Sequence, residues 1–237
     1  MTSIIDLTGG LGLYIRHENL HLHGQTGGSD VGLDGREQVT YSENRRWQGE
    51  IVFPPMDQAQ ALAMRSVGTR LRGRVGRLRL PVLNLQTPSH TGDDAAFWAS
   101  LGVSAADIAA GAQSFSDGSF FSDGTGFALP DGADPTLSDD LAAGVTQVTI
   151  DTYMGKALQV GDRFSIDGFL YEVEDNNDGV IDFAPPLRTA ASSGDVVKIS
   201  QPEIVVRLAQ DDGWRPFLDM GFTSREMTVS VVEAFDR

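Results

Sequence analysis

Apolar residues alternate with polar ones through residues 158–199, and turn residues interrupt the alternation every few positions, which confines this stretch to short β-strands. In LQVGDRFSI, Leu158, Val160, Phe164 and Ile166 share one parity and therefore one face of a pleated strand. Asp167-Gly168 follows as a two-residue turn. Asp-Gly suits a type I′ turn, whose central residues both need positive φ, and such a turn pairs Ile166 with Phe169 and Phe164 with Tyr171. A second turn, DNNDG at 175–179, leads into Val180, Ile181 and Phe183. Pro185-Pro186 ends that strand, and 192–194 turn the chain into VVKIS. With VTQVTI at 145–150 before it, the stretch makes about five strands of a small antiparallel barrel.

A chain of 237 residues buries roughly 70–75% of its unfolded surface and needs neither disulfides nor a metal to fold. It has no cysteine, which removes thiol catalysis, cysteine zinc sites and disulfide staples together. The opening MTSIIDLTGGLGLYI has no basic leader, and no apolar run approaches about 18 residues, so a soluble protein made in the cytoplasm, without membrane attachment, is expected. The 27 glycines, 10 prolines and short apolar runs favour an all-β architecture with minor helix.

A net charge of −15 argues against a nucleic-acid-binding surface over most of the protein. The charges are unevenly spread. Residues 58–92 hold no acid, and six of the eighteen Lys and Arg fall within 65–79. Residues 80–155 hold no Lys or Arg but ten acids. Arg70, Arg72 and Arg74 alternate as on one strand face, and Arg77 and Arg79 alternate with the opposite parity; a bulge at Val75-Gly76 would bring all five to one face. They read as a solvated strand face or as an electropositive strip that meets the acidic surface of another subunit.

Elsewhere the sequence predicts a strand at 13–15, a glycine-rich loop or arm at 24–35, and a strand at 47–53 ended by Pro54-Pro55. His17, His21 and His23 cluster, with His21 and His23 on one face if extended, but no fourth ligand at a metal-binding spacing accompanies them. Asp57 can cap a helix over 58–67 with Ala59, Leu62, Ala63 and Val67 as its apolar stripe and Gly68 as its stop. Short helical turns are expected at 93–101 and 104–110. Phe115-Ser-Asp-Gly recurs as Phe121-Ser-Asp-Gly, a turn pair rather than a calcium loop. Strands at 202–208 and 227–235 lack a partner in the barrel and are expected to pair with the N-terminal strands. The outer parts of the chain, 1–84 and 201–237, then form one discontinuous β-domain, with 85–200 inserted and the barrel at about 143–200.

No nucleophile elbow, Walker loop, dinucleotide fingerprint or paired zinc ligands appear, so no catalytic residue, cofactor or metal is expected. RRWQGEIVFPPM followed by a short helix and an arginine-rich strand, the SDGTGF loop, and LQVGDRFSIDGFLYEVEDNNDGVIDFAPPLR together resemble the distal tail proteins of long-tailed bacteriophages over roughly residues 45–199. The resemblance implies a split β-sandwich domain that assembles as a homohexameric ring, with an OB-like β-barrel projecting from it. It also implies a passive adaptor at the virion tail tip, or baseplate, between the tube protein and the hub or fibre proteins. A closed ring needs two different patches that meet, and an arginine strip at Arg70, Arg72, Arg74, Arg77 and Arg79 beside an acidic segment supplies them. The alternatives are a carbohydrate-binding, host-recognition module using the barrel and the loops at 115–127, or another tail component such as a tube or terminator subunit.

Overall fold

In the computed structural model, residues 4–7, 13–28, 39–83, 104, 106–107, 114–124, 126–127, 134–150, 158–216 and 225–236 are described. They are mostly β, with one α-helix and two sheets. The first sheet takes its strands from both ends of the chain: β1 (Ile4–Asp6), β2 (His17–Gly28), β3 (Val39–Phe53), β4 (Arg77–Pro81), β10 (Glu203–Leu208) and β11 (Met227–Glu233), in the order β1-β4-β10-β11-β3-β2. β1 pairs with β4 in parallel and the other neighbours are antiparallel. The second sheet holds β5 (Gln147–Thr149), β6 (Arg163–Ile166), β7 (Phe169–Asn177), β8 (Val180–Ala184) and β9 (Val197–Lys198), in the order β5-β8-β7-β6-β9, and curls into a half-barrel.

The hairpin chemistry of the half-barrel is as the sequence predicts. Asp167 and Gly168 both have positive φ, 48° and 69°, and the register pairs Ile166 with Phe169 and Phe164 with Tyr171. The next turn is tighter than the DNNDG stretch suggests. β7 continues to Asn177, and Asp178-Gly179, with φ 53° and 91°, turns directly into β8. Val160 departs from the expected face: the chain turns at Val160-Gly161, before β6 begins, which leaves Val160 67% exposed while Leu158 and Phe164 are buried. Phe164, Tyr171 and Phe183 form the aromatic centre of this core, with ring centroids 5.2–5.6 Å apart.

At the N-terminus, residues 13–15 are irregular, and the strand lies later, as β2, extending into what reads as a glycine-rich loop. Pairing with β3 along nearly its whole length, interrupted by an irregularity between His23 and Gln25, overrides the low strand propensity of its glycines. The expected pairing of the C-terminal strands is present, with β10 against β4 and β11 against β3. The helical turn expected at 93–101 lies outside the described residues. Of the one at 104–110, Ser104, Ala106 and Asp107 are described; Asp107 accepts from Ser104 N and Oγ and from Ser114 N, which hold its carboxyl well below the usual carboxylate range.

Helix α1 (Gln58–Leu71) begins with the expected cap: Gln60 N donates to Asp57 Oδ1 at 2.9 Å, and Asp57 N donates to Gln60 Oε1. Its buried stripe is Ala61, Met64, Val67 and Leu71, while Leu62 is 54% exposed, so the packed face is rotated from the expected one. Gly68 does not stop the helix. It makes room for Trp214, whose Nε1 donates to Met64 O at 2.9 Å, and a Cβ at Gly68 would lie 2.5 Å from Trp214 Cδ1. Trp214 also packs edge-on against Phe53, 5.7 Å between centroids, closing the helix over the sheet.

Gly68→Ala gains about 1 kcal/mol of helix propensity and loses about 1–3 kcal/mol to overpacking. A lower unfolding midpoint is expected in thermal denaturation, and in a Trp214→Leu background the same substitution is expected to cost less or to stabilise; an equal loss from Gly68→Ala in both backgrounds would contradict this role for the glycine.

Candidate interaction surfaces

The two sheets meet across a polar junction of hydrogen bonds and ion pairs. Trp47 of β3 is buried; its Nε1 donates to Leu170 O of β7 at 2.7 Å, and its backbone N donates to Glu233 Oε2 at 3.2 Å. Leu170 leaves the half-barrel core and packs into the core of the large sheet. Above the Trp47 ring, at 5.2 Å, lies the Arg163 guanidinium, which donates to Glu18 Oε1 at 2.8 Å, Leu20 O at 2.9 Å and Glu172 Oε2 at 3.2 Å. Arg188 donates to Arg45 O and, at 3.1 Å, to Glu233, whose side chain is fully buried. Arg45 pairs with Glu174 at 3.1 Å and Lys198 with Glu203 at 2.9 Å. A cavity of about 370 Å³ opens here, lined in part by Leu20, His21, Arg45, Trp47, Arg163 and Glu174. The arginines and glutamates in its wall are ion-paired to each other, Arg45–Glu174 across the two sheets and Arg163–Glu172 within the half-barrel.

The five predicted arginines do not lie on one strand. Arg70 sits in the last turn of α1, where a cation complements the helix dipole. Arg72 is the C-cap, in the left-handed region at φ 51°. Arg74 lies in a 3₁₀ turn, Gly73–Val75, fixed by a hydrogen bond from Arg74 N to Asp211 Oδ1. Only Arg77 and Arg79 are on β4. A Cβ at Gly73 would meet Asp211 at 2.9 Å, and one at Gly76 would meet the Leu71 carbonyl at 2.4 Å, so close packing folds the helix end back on itself where alternation alone predicts a strand.

The five also divide by partner. Arg77 donates to Asp236 O at 2.5 Å, and Arg79 lies near Glu203 and Asp6, 3.8 and 4.0 Å away. Among the described residues the guanidinium groups of Arg70, Arg72 and Arg74 make no ion pair or hydrogen bond, and neither does that of Arg65; all four are exposed. Leu62 and Val75, 54% and 65% exposed, flank them in sequence.

A second surface comes from the six-residue repeat. Gly118 N donates to Phe115 O and Gly124 N to Phe121 O, both at 2.8 Å, and both glycines have φ near 80°, so the two FSDG segments form matching turns. Phe115, Phe121 and Phe127 pack edge to face with centroids 5.0–5.4 Å apart, yet all three remain exposed. The turns are legible in the sequence; the third phenylalanine at the same spacing was the signal for the triad. His17, His21 and His23 are exposed at one parity of β2, and among the described residues no group of three His, Cys, Asp or Glu is placed to hold a metal ion. Among the described residues no helix is long and apolar enough to cross a membrane. No protein-family model matches the chain, and no curated protein matches it in sequence.

Removing Arg188 takes this counter-ion from the buried Glu233 carboxylate. Arg188→Met is expected to cost about 3–5 kcal/mol in denaturant unfolding, and Arg188→Met with Glu233→Gln to recover part of that loss; a loss below about 1 kcal/mol in the single variant would contradict it.

Burial raises the Glu18 carboxyl above its ordinary value, against the hydrogen bond from Leu83 N and the charge of Arg163. The folded protein then holds this proton to higher pH than the unfolded chain, so Glu18 lowers stability above its folded pKa, and the effect fades as pH falls to 4.5. Across that window the stability of Glu18→Gln relative to the parent is expected to rise with pH. A difference that stays flat from pH 4.5 to neutrality would contradict it.

Proposed function

We propose that this protein is a structural component of a phage virion, a distal tail adaptor whose copies form a homohexameric ring joining the tail tube to the hub or fibres of the tail tip. The observation that carries the reading is the distribution of the chain: strands within 4–81 and 203–233 share one sheet, and strands within 147–198 form the other. In this reading the large sheet belongs to a discontinuous β-sandwich domain, 1–84 and 201–237, and the half-barrel to an OB-like barrel within a domain inserted at 85–200. The dense junction between the sheets supports it, because a passive adaptor must transmit position from tube to tip without bending.

Exposed Arg70, Arg72 and Arg74 supply the cationic side of a subunit contact, which subunits of charge −15 require if they are to approach. Arg77 and Arg79, engaged within their own chain, are left out of it.

Negative-stain imaging of the purified protein, with its mass in solution at several concentrations, is expected to give six-fold rings with peripheral lobes. Monomers at every concentration, with retention on a glycan array, would replace this reading by that of a carbohydrate-binding module.

A further inference from the structure

We propose that the phenylalanine triad of one copy docks on the arginine-bearing end of α1 in the next copy, forming the repeating contact of the ring. This inference rests on the ring reading and names the two patches that meet. Phe115, Phe121 and Phe127 form a contiguous exposed apolar cluster, the first two each set at the start of a matching turn, and soluble proteins keep such clusters for contacts. Each turn carries an exposed aspartate, Asp117 or Asp123, two residues beyond its phenylalanine, so acid adjoins the cluster in sequence; Asp117 Oδ1 also accepts from Ser119 N and Oγ within its turn, at 2.9 and 2.6 Å.

The end of α1 carries the complementary chemistry. Arg70, Arg72 and Arg74, and Arg65 further up the helix, are exposed with no side-chain partner among the described residues, and Val75, 65% exposed, adds apolar area. Guanidinium groups take both aromatic faces and carboxylates. This chain already makes the aromatic contact internally: the Arg46 and Arg188 guanidinium groups lie 4.5 and 4.7 Å from the centre of the Phe235 ring. A second copy suits the triad better than a nucleic acid, which the aspartates would repel, or a neutral sugar, which would leave the arginines unanswered. The two patches differ, so the contact is heterologous and repeats around a ring.

The test uses the full chain and two variants, Arg72→Glu/Arg74→Glu and Asp117→Lys/Asp123→Lys, with native mass spectrometry as readout and circular dichroism to show that each folds. Each variant alone is expected to self-associate at least about tenfold more weakly than the parent. Their equimolar mixture is expected to regain the parental assembly, because the two reversed patches match each other and the two unreversed ones do too. Assembly unchanged in both variants, or lost in both and not regained on mixing, overturns this contact and leaves the ring reading standing. A parent that never assembles overturns both.

Discussion

The rest of the structure depends on one hydrogen bond and the side chain beside it, the Trp47 indole donating to the Leu170 carbonyl while Leu170 is packed into the core of the large sheet. β7 is thereby buried on both faces: Phe169, Tyr171 and Val173 serve the half-barrel, and Leu170 serves the other sheet. Around this point the hairpin of β6 and β7 is held from several directions, with Val205 N donating to Gly168 O and Glu203 N to Ser165 Oγ. A buried carbonyl on the β6–β7 hairpin needs a donor, and Trp47 provides one that is also large enough to fill the gap between the sheets.

Electrostatics divides the molecule into an inside and an outside. At the junction, arginines from β3, β6 and the turn after β8 are each neutralised by a glutamate, on the neighbouring sheet or, for Arg163, on both, so burying them costs less than burying lone charges would. At the end of α1 the arginines are left to solvent. In a chain of net charge −15 that asymmetry locates the surface most able to receive an acidic partner, and it is the physical basis for reading the molecule as a unit of a larger assembly.

Local chemistry was legible where it alone decides the conformation. Asp167-Gly168 fixed its hairpin and register because both residues accept positive φ, and Asp57 fixed the start of α1 because its carboxylate reaches a free amide. Long-range packing was not legible. Gly68 reads as a helix stop until Trp214, far along the chain, is found lying against it. The alternating arginines read as a strand until the left-handed Arg72 and the contact of Gly73 with Asp211 fold them into a helix end. The exposed phenylalanines were visible as a repeat, but that three rings at this spacing pack on one another is a property of paired turns in three dimensions.

The chain has no cysteine, so a disulfide placed between copies has no native thiol to compete with it. The most direct measurement is oxidative cross-linking of the full chain carrying Arg72→Cys together with Asp123→Cys, resolved on a non-reducing gel. A structural ring subunit built as described gives a ladder of covalent multimers that ends at the hexamer and collapses on reduction. A folded double variant that remains monomeric under oxidation, while the parent forms rings of unchanged mass, would contradict the account of how these surfaces meet.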